Sequence, residues 1–457
     1  MSDKTIGRVA ATEKNPTTTD KFTFWISSDF RLSLFDVVKV MHLDGSFTFG
    51  AVNGISHITD SVSFLTNYIA NDFGNPEVNA PTLRTGMNYA DASVLFNTKN
   101  IYSPVYNDSP VCLASRDEIM QALGLDGIKD PLVCGSMTMY GGTEDEIILP
   151  VNMNPDFILG PASAHLNISG ISGLAAKTSF AMFLMKAVQE RSIKLNKSTA
   201  LVIFNVKGMD LMAIHRPNDA LTKSERLKYK ALGLSAEPFK NVKYYVPGRS
   251  YLPHETIEEY TRVGQLMKFS AEPEQHEFRL ADELKMIQAN DVKVIDIAKL
   301  PEDKQASVFS DVLRTIYNLK LGEYDNETGI NPPSKIIIFL NELNKFVSCD
   351  KALNPLILDI IERGGSLGII LFGAEQFRSD VHHVITGNSA LNAYGRTHMT
   401  EIETADRVYN SFDETCKNIL TRLEQGEYLL QSPVFRTLLR IKFPRPAYDQ
   451  FSVTDRD

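Results

Sequence analysis

No apolar run in this 457-residue sequence is long enough to cross a membrane. The longest, Ile336–Leu340 and Leu367–Ala374, fall far short of the roughly 20 residues that a spanning helix needs. Residues Met1–Thr23 are polar and lack an apolar centre, so no signal peptide is expected there. Cysteine is scarce. Cys112, Cys134, Cys349 and Cys416 are scattered and form no CxxC pair, which argues against a disulfide-stapled scaffold and suits reduced thiols in the cytoplasm. The nine histidines show no metal-ligand spacing. His382 and His383 are adjacent, so on a helix they would point about 100° apart, and a structural metal is not expected. Positive charge is not in excess either. A net charge of −9 gives no bulk attraction to nucleic acid, so any DNA contact must lie on a local basic surface such as the lining of a pore. Internal repeats and low-complexity tracts are absent.

What is present is an ordinary globular balance, 43% hydrophobic and 23% charged, on a chain long enough for two or three domains. Residues 1–155 read as short strands of a small barrel or sandwich. Phe22, Phe24 and Ile26 alternate with Thr23, Trp25 and Ser27; Val37–Met41 follows, then a turn at Asp44-Gly45, then Phe47–Val52. Asn67–Phe96 reads as loop plus helix. From residue 156 the texture changes to apolar strands alternating with helical periods, the pattern of a parallel sheet with crossover helices. The expected strands are Leu166–Ser169, Ala200–Val206, Val292–Ile297, Ile336–Leu340 and Leu367–Phe372. A polar insertion, about 213–290, interrupts them. It is expected to be helical, with a basic first part (Lys223, Arg226, Lys228, Lys230, Lys240, Lys243, Arg249) and an acidic second part. The basic part is either a solvated face or a surface for nucleic acid or a partner.

The most informative stretch is Leu166–Ser179. An apolar strand enters a loop of small residues, Gly170, Ser172, Gly173, Leu174, Ala175 and Ala176, and Lys177, Thr178 and Ser179 open a helix. Phe180, Phe183, Leu184, Ala187 and Val188 then recur on one face. Small residues let backbone N–H groups curl around phosphates, the helix N-terminus adds partial positive charge, Lys177 neutralises phosphate oxygens and the Thr178 hydroxyl can reach Mg²⁺. The match to GxxxxGK[ST] is imperfect, because Ala176 stands where glycine is usual and Gly170 fits only if the loop is one residue longer. Taken alone, a glycine-containing turn between strand and helix would look much the same.

Ser334–Phe346 supplies a second motif. Five apolar residues, Ile336–Leu340, are followed by Asn341 and Glu342. A carboxylate at that strand end can activate water. Asn341 stands where an aspartate would hold Mg²⁺ through water, and it contributes no charge. The next strand leads to Gln376, placed to contact the γ-phosphate or the attacking water; strand-end solvation is the plainer alternative. The order Lys-Thr, Glu, Gln on successive strands points to a bound nucleoside triphosphate, ATP with Mg²⁺.

These residues resemble the HerA ATPases of the FtsK/HerA superfamily. The resemblance is carried by Ile6–Val9, Asn167–Ser179, Phe204–Leu211, Asn341–Lys345, Glu362–Gly368, Gly373–Phe377 and Phe443–Pro446. It implies an N-terminal β-barrel (1–155) joined to a RecA-like P-loop ATPase core (156–457), with a C-terminal tail at 435–457. It also implies a homo-hexamer with double-stranded DNA in its pore, and a nuclease or other effector docked on the barrel side, as in end resection or antiphage defence. Arg363 matches best the arginine that a neighbouring subunit inserts into the active site, and Arg396 is the second candidate; either could instead be a surface ion pair. The chain departs from the family pattern at Ala176, at Asn341 and at Gly365, where many members carry a second arginine.

Two functions follow. One is a DNA-translocating ATPase, or helicase, in which Lys177 and Thr178 hold phosphate and metal, Glu342 activates water and Gln376 senses the γ-phosphate. The other is a nucleotide-bound hexameric scaffold that assembles an effector with weak hydrolysis. The segment Phe435–Tyr448, rich in arginine, is expected either as a strand with a tail on a neighbouring subunit or as a solvated edge strand.

Overall fold

A computed structural model describes residues 4–450, apart from 71, 75–85, 161–163, 172–175, 249–257, 259, 263, 275, 325–328, 330 and 349–353. The chain forms two compact units. The first comprises Met1–Asp126, Thr138–Leu149 and Val434–Thr437, and the second Gly127–Met137, Pro150–Pro433 and Leu438–Asp457. No helix among the described residues is long and apolar enough to cross a membrane.

The first unit is built on a closed barrel of six antiparallel strands. These are β1 (Thr5–Val9), β2 (Lys21–Ile26), β3 (Val37–Met41), β4 (Phe47–Ile58), β5 (Met87–Asn97) and β6 (Pro110–Leu113), in the order β1-β2-β5-β4-β3-β6. Period-two alternation fills the interior: Phe22, Phe24 and Ile26 are buried while Trp25 is exposed. Phe22 needs room that only a glycine leaves, since a Cβ on Gly50 would lie 2.7 Å from its ring. The strand β5 falls in a stretch that reads as loop plus helix. Its inward residues are Ala90 and Ala92, too small to mark a buried face; among the described residues the α-helix of this region is Phe64–Ala70.

The second unit holds a 13-stranded sheet, apart from Thr138–Met139 and Ile147–Leu149, which belong to the first. Its strands are β7 (Leu132–Met139), β8 (Ile147–Met153), β9 (His165–Ser169), β10 (Thr199–Asn205), β11 (Val242–Pro247), β12 (Leu266–Phe269), β13 (Glu277–Phe278), β14 (Val292–Asp296), β15 (Lys335–Asn341), β16 (Ile369–Glu375), β17 (Ser389–Tyr394), β18 (Glu427–Gln431) and β19 (Leu439–Lys442). They run β13-β12-β11-β14-β10-β15-β16-β9-β17-β18-β19-β7-β8. Neighbours from β13 to β17 are parallel; β18 and β19 continue antiparallel. Every residue of β9, β10, β14 and β16 is buried, which is why β10 and β16 read as apolar runs, while β9 and β14 also bury His165, Asn167, Lys293 and Asp296. The helices Glu302–Lys320 and Pro355–Leu367 bury Phe309, Val312, Ile316, Ile357 and Ile360 against Phe204, Ile338 and Leu371 of the sheet. The fold class is therefore α/β with a β-barrel, as expected.

Three readings change. Among its described residues the stretch 213–290 is helical at Lys223–Ala231, at Leu280–Lys285 and at 258 and 260–262; it also supplies β11, β12 and β13, which lengthen the sheet. The helix Ala176–Lys194 has a single apolar face in sequence, yet it is buried on nearly all sides from Ser179 to Gln189. Phe180 stacks on Tyr428 at 4.7 Å, Phe183 meets Tyr229 at 6.4 Å, and Lys186 lies over Phe239 while pairing with Glu190 at 3.2 Å. Finally, β19 is paired on both sides and is not an edge strand. Residues up to Gln450 pack on their own chain, with Asn218 N donating to the Ala447 carbonyl and Asp449 N to that of Arg216.

Candidate nucleotide site

The sheet order creates the site. The strand β16 lies between β9 and β15, so the strand before Lys177 and the strand before Glu342 stand two spacings apart, about 10 Å. The ends of β9 and β15 are thus separated by the end of β16. The chain leaves β9 for β10 on one side and passes from β16 to β17 on the other. Right-handed crossovers in opposite directions cover opposite faces of the sheet and open a crevice at the carboxyl ends of the strands.

Gly170 closes the end of β9. Its N–H donates to the Glu375 carbonyl at 3.2 Å, and Ile171 N donates to the Arg396 carbonyl at 2.8 Å. A Cβ on Gly170 would lie 3.3 Å from that carbonyl oxygen and from Gly395 Cα, so the close approach of β9 to the end of β17 favours glycine. Ser172, Gly173, Leu174 and Ala175 lie outside the described residues. The helix begins at Ala176, and Lys177 in its first turn is 6% exposed. Burial pulls the Lys177 ammonium down to about 8, against the opposing pull of the Glu342 and Glu375 carboxylates. A cation so desolvated is stabilised by an anion brought to it. Thr178 is half-buried, and Ser179 Oγ accepts from Gln450 Nε2 at 3.4 Å.

Across the crevice, Glu342 adopts a left-handed backbone (φ 58°, ψ 48°) and is 7% exposed. A non-glycine residue in that region costs on the order of 1–3 kcal/mol and persists only where its surroundings hold it. Here Leu343 is the anchor. It packs over Gly373 of β16, where a Cβ would lie 2.5 Å from Leu343 Cδ2. Gln376 follows β16, and its Nε2 donates to Glu342 Oε1 at 3.4 Å. The structure thus brings Glu342 and Gln376 together.

The tips of four consecutive strands share one further property. Asn205 Oδ1 on β10, Asn341 Oδ1 on β15, Glu375 Oε1 on β16 and Ser169 Oγ on β9 are buried without a hydrogen-bond partner, as is Asn344 Oδ1 just past β15. Each such group costs roughly 1–3 kcal/mol. A row of them along the ends of neighbouring strands is a place for water or a ligand to complete them. Most are pure acceptors, so they call for donors, and water bound to a divalent cation is such a donor. The hydroxyl of Thr178 and the amide oxygen of Asn341 are hard oxygen groups of the kind Mg²⁺ takes. Among the described residues no cluster of three or more His, Cys, Asp or Glu could form a protein cage, so a cation here would depend on phosphate oxygens and water.

The two arginines are placed differently. Arg363 is exposed on the helix Pro355–Leu367, paired with Asp359 (Nη2 to Oδ2, 2.8 Å) and donating to Tyr317 Oη at 3.1 Å. That helix ends at the start of β16, the edge of the sheet opposite the crevice. Within one chain, Arg363 is therefore not brought to Lys177 and Glu342. Arg396 lies beside the phosphate loop through its backbone, while its exposed side chain donates to the Thr421 carbonyl at 3.1 Å.

Sequence reasoning passed over Asn167, Glu375 and Arg378. Glu375 is fully buried, and burial pushes its carboxyl up to about 8, with Arg378, Lys177 and Asn167 opposing. Arg378 is buried with its guanidinium over the Tyr394 ring, bonded to Asn167 Oδ1 and to Asn392 Oδ1 at 2.8 Å. The available signal was a charged pair flanking Gln376 next to a buried apolar strand.

No family model matches the chain, and no curated protein does. Among solved structures it is similar to the genome packaging NTPase B204 of Sulfolobus turreted icosahedral virus 2 in complex with ATP-gammaS (12% identity, 64% of this chain and 99% of that chain, TM-score 0.34). It is also similar to VirB4 of Thermoanaerobacter pseudethanolicus (11%, 70% and 97%, TM-score 0.35). A third is the bacterial conjugative coupling protein TrwBdeltaN70 (11%, 66% and 90%, TM-score 0.36).

Proposed function

We propose that the chain binds ATP in the crevice between Lys177 and Glu342 and hydrolyses it as one subunit of a hexameric ring that moves double-stranded DNA through its pore. The observation that carries nucleotide binding is the row of unpartnered polar atoms on β10, β15, β16 and β9, beside a buried lysine. Lys177 and the backbone of residues 170–179 hold the phosphates. Glu342 orients and deprotonates the attacking water, and Gln376 fixes the carboxylate of Glu342 and meets the γ-phosphate. Thr178 and Asn341 would hold Mg²⁺, which when bound neutralises phosphate charge. A neighbour's Arg363 completes the site, an effect worth on the order of 10³–10⁵ in rate for such arginines. The resemblance to the HerA ATPases supports the ring, the DNA and a nuclease or other effector on the barrel side.

A second reading is favoured by Asn341, which supplies no charge to a cation. It is a nucleotide-loaded ring that scaffolds an effector and turns over slowly. ATP turnover on mass-verified oligomer, with and without double-stranded DNA, separates the two. The motor predicts DNA-stimulated hydrolysis that Lys177→Ala reduces by roughly 10²–10³-fold; turnover that ignores both DNA and Lys177 sinks it. The scaffold predicts effector activity that survives Glu342→Ala.

A further inference from the structure

Gln376 lies between two buried charged residues that make contact through a third. Asn167 Nδ2 donates to Glu375 Oε2 at 3.1 Å, and Asn167 Oδ1 accepts from Arg378. Asn167 sits on β9, three residues before Gly170. Arg378 continues to Asn392 on β17, and Ser379 donates through N and Oγ to the Glu401 carboxylate at 3.0 and 2.7 Å. The loop after β16 is thus tied at 375, 378 and 379, and its free position is Gln376, whose side chain reaches toward Glu342.

We infer that Asn167, Glu375 and Arg378 form a positioning unit that sets Gln376 against Glu342 in register with the phosphate loop. The inference rests on the nucleotide reading of the site and assigns these residues no contact with substrate. The physical reason is that one asparagine serves both sides. A shift of β9 on phosphate binding moves Asn167, and Asn167 pulls on the residue before and the second residue after Gln376. Burial strengthens these bonds and makes their loss costly. The planar guanidinium of Arg378 suits two fixed amide acceptors and a ring face at once, which a lysine cannot match.

The test compares wild type, Arg378→Lys, Gln376→Ala and the double variant, reading kcat, KM and the affinity for a fluorescent ATP analogue, with melting curves to verify folding. A misplacement of about 1 Å costs roughly 10²-fold in rate, so Arg378→Lys is expected to lose kcat on that scale with nucleotide affinity unchanged. In the Gln376→Ala background Arg378→Lys is expected to add nothing, because its effect passes through Gln376. Should Arg378→Lys be unstable, Glu375→Gln and Asn392→Ala read the same unit from its other two ends. Glu375→Gln, which keeps a hydrogen-bonding group of the same shape, is expected to retain most of the rate, and Asn392→Ala to lose it partly. Unchanged kcat in folded Arg378→Lys, or in folded Asn392→Ala where Arg378→Lys does not fold, overturns the inference. So does a parallel loss of affinity and rate, or losses that add fully in the double variant. Failure of the wild type to bind ATP, or binding that Lys177→Ala leaves intact, overturns the nucleotide reading instead.

Discussion

The barrel unit and the sheet unit handle buried polar groups in opposite ways. In the barrel, Asp36 accepts from Ser33 N and Tyr140 N at 2.7 and 2.8 Å, Lys39 pairs with Glu118 at 2.8 Å, Tyr140 Oη donates to the Val37 carbonyl at 2.6 Å, and Asn97 bonds Thr48, Lys99 and Ile101. Among the described residues no unpartnered buried side-chain atom falls in that unit; they all fall in the sheet unit. A closed barrel has no free strand edge, and its buried polar groups bond one another and the backbone. The sheet unit leaves five such residues at or just past neighbouring strand tips, Ser169, Asn205, Asn341, Asn344 and Glu375. In the proposed site such a set binds a ligand at a cost to stability. The contrast then sets residues that hold the fold against residues proposed to do chemistry, and it can be attacked from either side.

The largest effect belongs to Glu342. Removing its charge without changing its shape, as Glu342→Gln, is expected to cut ATP turnover by roughly 10²–10⁴-fold, the range for a positioned general base. ATP binding persists, because the phosphates are held by Lys177 and the loop backbone. Single-turnover kinetics beside a binding titration check it; a variant that still turns over at the wild-type rate would show that the strained Glu342 is architectural, and the contrast would break.

The barrel provides the complementary case. Lys39 is buried and the Glu118 side chain is partly exposed. Lys39→Met leaves the carboxylate with Ser115 N, 2.8 Å away, and the loss of stability is expected to reach at most about 3 kcal/mol, since that bond and solvent moderate the penalty for losing the charge partner. Its readout is the midpoint of denaturant unfolding. The rate per folded protein should not move. If the rate falls while the midpoint stays, the barrel's saturated network is part of the chemistry.

How far the sequence disclosed this division depends on the range of the contacts involved. The strand β15 was legible because both its faces are buried and five apolar residues in a row permit little else. The strand before Gln376 was legible for the same reason, while β9 showed only through Leu166 and Ile168 and the small residues that follow it. The strand β5 was hidden because Ala90 and Ala92 mark its buried face only faintly. The short strands β11–β13 were hidden by the charged residues around them. The buried unit behind Gln376 was the least accessible. Arg378 finds Asn167 at a separation of 211 residues and Asn392 at 14, and no local pattern in the chain connects those positions. A buried arginine and a solvated one carry the same letter, and only the tertiary structure tells them apart.

Asn341 gives the smallest and most discriminating effect. Its amide oxygen is buried and unpartnered, so it accepts from a metal-bound water in the proposed site without adding charge. Asn341→Asp supplies that charge at constant shape. One added full charge near a divalent cation is expected to tighten Mg²⁺ by about tenfold, equivalent to about 1.4 kcal/mol, and to lower the Mg²⁺ concentration at half-maximal ATPase by the same factor. The fold should be slightly weakened in the absence of nucleotide, because a buried carboxylate replaces a neutral amide. A magnesium titration of turnover, paired with melting curves of the nucleotide-free protein, reads both signs. A lower magnesium requirement with a lower melting temperature places Asn341 with the groups that bind at a cost to the fold. An unchanged requirement with a raised melting temperature would place it with the barrel's kind of polar group, and the row of strand-tip atoms would then owe nothing to a metal.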